Sequence, residues 1–98
     1  MTIAELIEKS HSNAIQKGFW DNPREFPTMV MLIVTELSEA VEADRHGNAQ
    51  AVREEIADVF IRLGDLCGGV KELSDMSGAI AEKMEKNRKR PRLHGKEY

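Results

Sequence analysis

TMVMLIVTELSEAVEADRHGNAQAVREEIADVFIRLGDLC, residues 28–67, is the stretch that decides the fold. Val30, Ile33, Val34, Leu37, Ala40 and Val41 recur at three- and four-residue steps, and so do Val52, Ile56, Val59, Phe60, Leu63 and Cys67. That period is helical, and no part of the chain shows the period-2 alternation of a half-buried strand. Between the two runs stand Gly47, placed to end one helix, and Asn48, placed to cap the next. Thr28 is positioned to cap a helix over 29–45, and Asn48 one over 49–67 that Gly68-Gly69 should stop. A connection this short favours antiparallel neighbours, so the stretch predicts a helical hairpin.

Each helix of the hairpin carries an acidic pair of the same spacing, Glu36-Leu37-Ser38-Glu39 and Glu55-Ile56-Ala57-Asp58. Residues three apart share a helix face. With the turn at 47–48, Glu36 is expected opposite Asp58 and Glu39 opposite Glu55, which gathers four carboxylates around one small volume. Like charges that close repel unless a cation sits between them. An oxygen-only ligand set favours a hard cation, Mg²⁺ or Mn²⁺, before zinc. One Glu-x-x-Glu alone says little, because charged residues fill solvated helix faces everywhere; two matched across a hairpin say more. Glu42, Asp44 and Glu54 lie nearby at angles that fit solvent. Arg62, one turn beyond Asp58, reads as its i,i+4 ion-pair partner, with a phosphate contact as the alternative.

Two more helices flank the hairpin. Thr2 and Glu5 have capping-box spacing ahead of Ile3, Leu6, Ile7, Ala14 and Ile15, and Gly18 follows a helix expected over 3–17. Residues 19–27, with Pro23 and Pro27, read as a connecting loop. A last helix over 74–89 carries Met76, Ile80 and Met84 and is closed by Pro91. The chain thus reads as one all-α domain over 1–98, a four-helix bundle around a central antiparallel hairpin. Trp20, the only tryptophan, can pack against the first helix or stack on a base.

Charge is distributed unevenly. Residues 83–98 hold seven Lys/Arg against Glu85 and Glu97, a net of +5, so the rest of the chain carries −8 of the total of −3. An acidic body with a basic arm at 88–98 suits an anionic, metal-binding ligand such as a nucleoside triphosphate; a solvated helix end with a tail fits the same composition. The sequence pI near 5.6 and the lack of a recognition motif argue against nucleic acid. The longest apolar run, Met29 to Val34, is too short to cross a bilayer, and the N-terminus lacks a basic region followed by an apolar stretch. The single Cys67 reads as a small buried hydrophobe in a reducing cytoplasm. No Walker-type loop is present. Of His11, His46 and His94 only His11 follows a Glu by three residues, Glu8, and the di-iron bundle needs two such motifs, which removes that reading. His46 reads as a helix C-terminal dipole partner.

In the order Gly18-Phe19-Trp20, Glu36-x-x-Glu39-Ala40, Glu55-x-x-Asp58 and Lys83-Met84-x-x-Asn87-x-x-Arg90-Pro91-x-x-His94-Gly95-Lys96, the chain resembles the MazG-like all-α nucleoside triphosphate pyrophosphohydrolases along nearly its whole length. The resemblance implies Mg²⁺-dependent cleavage of a (d)NTP to the monophosphate and pyrophosphate, on a four-helix scaffold that assembles as a homodimer or homotetramer. Carried over by position, Glu36, Glu39, Glu55 and Asp58 would be metal ligands, with Glu39 also a candidate to hold the attacking water. Lys83, Asn87 and Arg90 would meet the phosphates or sugar, in part across a subunit boundary. Thr35 stands where the family pattern often has a further Glu, a position that is frequently not a ligand. Phosphoribosyl-ATP pyrophosphohydrolase is the alternative within the superfamily, although the aromatic segment and the His-Gly-Lys tail fit it less well. A non-catalytic helical oligomer with a basic partner-binding tail is the alternative outside it.

Overall fold

The computed structural model describes residues 1–95; the end of the basic arm, 96–98 with Lys96, lies outside the described residues. Four α-helices follow one another: α1 (Ile3–Gln16), α2 (Phe26–Arg45), α3 (Ala49–Gly69) and α4 (Met76–Arg88). Short 3₁₀ turns at Lys71–Leu73 and Arg92–Gly95 flank α4, and there is no strand among the described residues. The expected all-α class is therefore what the chain adopts.

Most helix ends follow their side chains. Thr2 and Glu5 form a complete capping box at α1, and Asn48 accepts from the Ala51 N–H at 3.0 Å at the start of α3. Gly18 and Gly47 both adopt positive φ, 86° and 67°, which lets the chain leave α1 and α2 without a Cβ clash.

Three boundaries differ from expectation. α2 starts at Phe26 rather than after Thr28, because Pro27 falls in the first turn, where its missing N–H costs nothing and its fixed φ suits a helix. Thr28 is therefore inside the helix, and no side chain caps it. α3 runs on through Gly68 and Gly69, whose role is close approach: a Cβ at Gly68 would stand 2.5 Å from His11 Cβ, and one at Gly69 would overlap the Trp20 ring. α4 starts at Met76 rather than at 74, capped by Asp75, which accepts from the Gly78 N–H.

α3 is the central element, with α2 packed antiparallel on one side and α1 on another. The core is Met29 and Ile33 of α2 against Val59 and Leu66 of α3, flanked by Trp20, Val30, Val70 and Leu73. Cys67 is buried, as its place in the apolar stripe implies. α4 leans on α1 and buries none of its own residues; Met84 of its apolar stripe is 66% exposed. The packed body of the single chain is thus three helices, and the expected four-helix bundle is not closed by α4 within one copy.

A second consequence concerns the hairpin. Buried positions 29, 33, 36 and 40 of α2 face 55, 59, 62 and 66 of α3. One residue further on in each helix come Val34, Leu37 and Val41, and Ile56, Phe60 and Leu63, all exposed. In an antiparallel pair, equal rotations on the two helices point to the same side of the hairpin. These six side chains therefore form one apolar face that the described residues do not cover.

Candidate metal centre and adjoining cleft

The stripe that packs α2 on α3 also sets the carboxylate geometry. Glu36, though ionisable, is one of the buried positions of α2, at 9% exposure. Its charged neighbours across the interface are Glu55 and Arg62 of α3. Arg62 Nε–H donates to Glu36 Oε1 at 2.9 Å. The expected Arg62–Asp58 pair is not made: the Arg62 guanidinium is turned across the helix interface to Glu36, although Asp58 lines the same cleft one turn away.

Glu36, Glu39 and Glu55 each offer a carboxylate oxygen within 4.8 Å of the others, so the three can hold a metal ion. Opposite ligands of Mg²⁺ stand about 4 Å apart, a span these side chains reach by small rotations. Asp58, the fourth residue in the sequence-derived set, is outside this trio; it is exposed and lines an adjoining cleft together with Glu36.

The electrostatics of the trio are those of a site short of positive charge. Glu55 Oε2 is a buried oxygen with no hydrogen-bond partner among the described residues. A hydrogen bond shared with Glu36, then one with Glu39, together with burial and the charges of both neighbours, pushes the Glu55 carboxyl up to about 7. Glu36 is held below the usual carboxylate range, first by the hydrogen bond it takes from Glu55 and then by Arg62, against the opposing effect of burial. A proton or a cation on Glu55 satisfies the same oxygen. The donor set, all carboxylate and one member buried, fits a hard divalent cation.

The linkage sign gives a test. Glu55 binds its proton more tightly folded than unfolded, so its stabilising effect on the metal-free protein is lost as pH rises through about 7. Metal needs the deprotonated carboxylate, so metal stabilisation grows over the same range. Thermal melts with and without Mg²⁺ should show a small shift at about pH 5.5 and a large one at about pH 8. An equal shift at both would mean that Glu55 is not a ligand.

The cleft of about 220 Å³ next to the trio runs between α1, the loop before α2 and α3. Phe19, Arg24, Glu36, Asp58, Arg62 and Asp65 are among the residues lining it. Two guanidinium groups thus share a hollow with Glu36, the member of the trio that lines it. Sequence reasoning missed Arg24 and Asp65; the signal available was weak, a charged residue in a loop and a lone aspartate amid apolar neighbours. Trp20 is placed in the packing: its Nε1–H donates to Asp65 Oδ1 at 2.8 Å and its ring meets that of His11 edge-on at 5.1 Å. Lys83, Asn87 and Arg90 are exposed on or just after α4 and do not line the cleft.

Comparison of the chain with protein-family models, with curated proteins and with solved structures returns no match. No helix among the described residues is long and apolar enough to cross a membrane.

Proposed function

We propose that this chain is a Mg²⁺-dependent nucleoside triphosphate pyrophosphohydrolase that cleaves a (d)NTP to the monophosphate and pyrophosphate. The observation that carries the reading is the meeting of Glu36, Glu39 and Glu55 from two helices, with a partnerless buried oxygen on Glu55, beside a cleft holding Arg24 and Arg62. Cleavage between the α- and β-phosphates needs charge neutralisation along the triphosphate and a water held in line. A bound divalent cation supplies Lewis-acid charge and an activated water. Glu36, fixed by Arg62, anchors the site; Glu55 adds the buried oxygen; Glu39, exposed at its rim, is placed to orient water. Asp58, which lines the cleft together with Glu36, is the reserve ligand, with Mn²⁺ the reserve metal. Pyrophosphate measured from a panel of NTPs and dNTPs with Mg²⁺ tests the reading; no release from any of them, with metal at saturation, would end it.

The same reading places Lys83, Asn87 and Arg90 at the phosphates or sugar, brought by a second copy of the chain because they do not line the cleft of their own. Their recurrence at about one-turn spacing lets them share a groove. Lys83→Ala and Arg90→Ala should each lower turnover about tenfold, the weight of one charge-assisted contact, and leave the Mg²⁺-induced melting shift unchanged. Wild-type turnover in the double substitution would move the phosphate grip to the cleft arginines alone.

A further inference from the structure

Asp65 is a carboxylate placed where an apolar residue would serve the fold. It sits on α3 one residue before buried Leu66, with its side chain 14% exposed. It accepts from three segments at once: His11 Nδ1–H of α1 at 2.9 Å, Trp20 Nε1–H at 2.8 Å and Arg24 Nη1–H at 3.2 Å. Replacing a half-buried ion pair by apolar side chains of like volume is often neutral or stabilising, so packing alone does not call for this arrangement. What the network does is fix one side chain. Arg24 is held from one end by Asp65, lies over the Trp20 ring at 5.0 Å and stands 6.0 Å from the Phe19 ring. Its side chain is 17% exposed, and the exposure opens on the cleft.

The donor count makes this an unfinished arrangement. Arg24 has five N–H donors and gives one to Asp65, and the described residues offer it no other acceptor. A guanidinium held on one side by a carboxylate and on its face by an aromatic ring keeps a fixed edge of N–H groups. Such an edge suits a planar pair of acceptors, a phosphate or the acceptor edge of a base. From these positions we infer that Arg24 is a substrate contact in the cleft and that Asp65 is its positioning residue, holding the guanidinium edge toward an acceptor pair on the nucleotide. The inference rests on the proposed hydrolase reading and adds to it the residue that grips the substrate beyond the carboxylates.

Steady-state kinetics of pyrophosphate release across the dNTP panel, in wild type, Arg24→Ala, Asp65→Asn and the double variant, test it. Arg24→Ala should raise KM tenfold or more with a smaller change in kcat, about the weight of a hydrogen bond to a charged group. Asp65→Asn should act in the same direction, and the double variant should be no worse than Arg24→Ala, since the two act as one unit. If Arg24 meets phosphate, every nucleotide suffers equally; if it reads a base, the preference among bases collapses. KM within about twofold of wild type for all nucleotides overturns the contact. Full additivity of the two substitutions overturns the positioning role. If wild type releases no pyrophosphate, emission of Trp20, the only tryptophan, decides separately during titration with a non-hydrolysable dNTP analogue and Mg²⁺. A response lost in Arg24→Ala keeps the contact while the hydrolase reading falls, and no response in wild type removes both.

Discussion

Glu55→Gln should abolish the Mg²⁺-induced rise in melting temperature and lower pyrophosphate release about a thousandfold. The substitution keeps shape and packing, so it isolates charge. In the metal-free protein, Glu36 and Glu39 lie against Glu55, and the oxygen Oε2 has no partner among the described residues. The amide places a neutral group there and supplies an N–H donor, so the metal-free variant should melt no lower than wild type. The opposite signs of these two effects make the result diagnostic: a variant that is merely damaged loses stability in both conditions. In wild type, metal at a hundred times its dissociation constant adds about 2.7 kcal/mol, which in a chain of this size is a shift of about 10 °C or more. Glu54→Gln is the control, because Glu54 is exposed and accepts only from the Gln50 side chain one turn away. Retention of the metal shift and of turnover in Glu55→Gln would leave the carboxylate trio without a role.

The hairpin was legible because short-range signals agreed: a 3.6-residue apolar period on both sides of Gly47-Asn48 and a side chain able to cap α3. Three carboxylates of the acidic site, Glu36, Glu39 and Glu55, were legible, its contacts less so, and the fourth expected member, Asp58, stands outside the trio. Spacing brought 36, 39 and 55 together, but the facing register is read from which residues are buried, and Glu36 itself occupies a buried position. A carboxylate is not counted as part of an apolar stripe, so the buried place of Glu36 in the interface and its pairing with Arg62 were not legible. The start of α2 was hidden by Pro27, since a proline is equally at home in a loop and in the first turn of a helix. Asp65 was beyond reach for another reason: its partners at 11, 20 and 24 come from far along the chain, and no local pattern encodes such a meeting. The same holds for α4, whose amphipathic stripe implies a partner but does not say which.

Phe60→Glu should convert the protein in solution from an assembly into a monomer near 11.1 kDa by light scattering, and turnover should fall with it. Phe60 stands at the middle of the apolar face formed by Val34, Leu37 and Val41 with Ile56 and Leu63, and it is 58% exposed. A small chain rarely leaves so large a contiguous face in water; burying a Phe side chain is worth about 1.5–3 kcal/mol. The single copy is also spread out, with a radius of gyration of 15.9 Å where about 13 Å is usual for a compact 100-residue domain. Its α4 buries nothing of its own. A second copy seated on the hairpin would cover the apolar face and give α4 a neighbour, and the cations of α4 would then reach a site they do not line in their own chain. That arrangement makes a further demand. Mixing inactive Glu55→Gln with the Lys83→Ala/Arg90→Ala variant should restore part of the turnover, since an exchanged pair contains one site with all its groups intact. A wild-type monomer at micromolar concentration with full activity would refute the assembly, and failure of the mixture to recover would confine every phosphate contact to the cleft of a single chain.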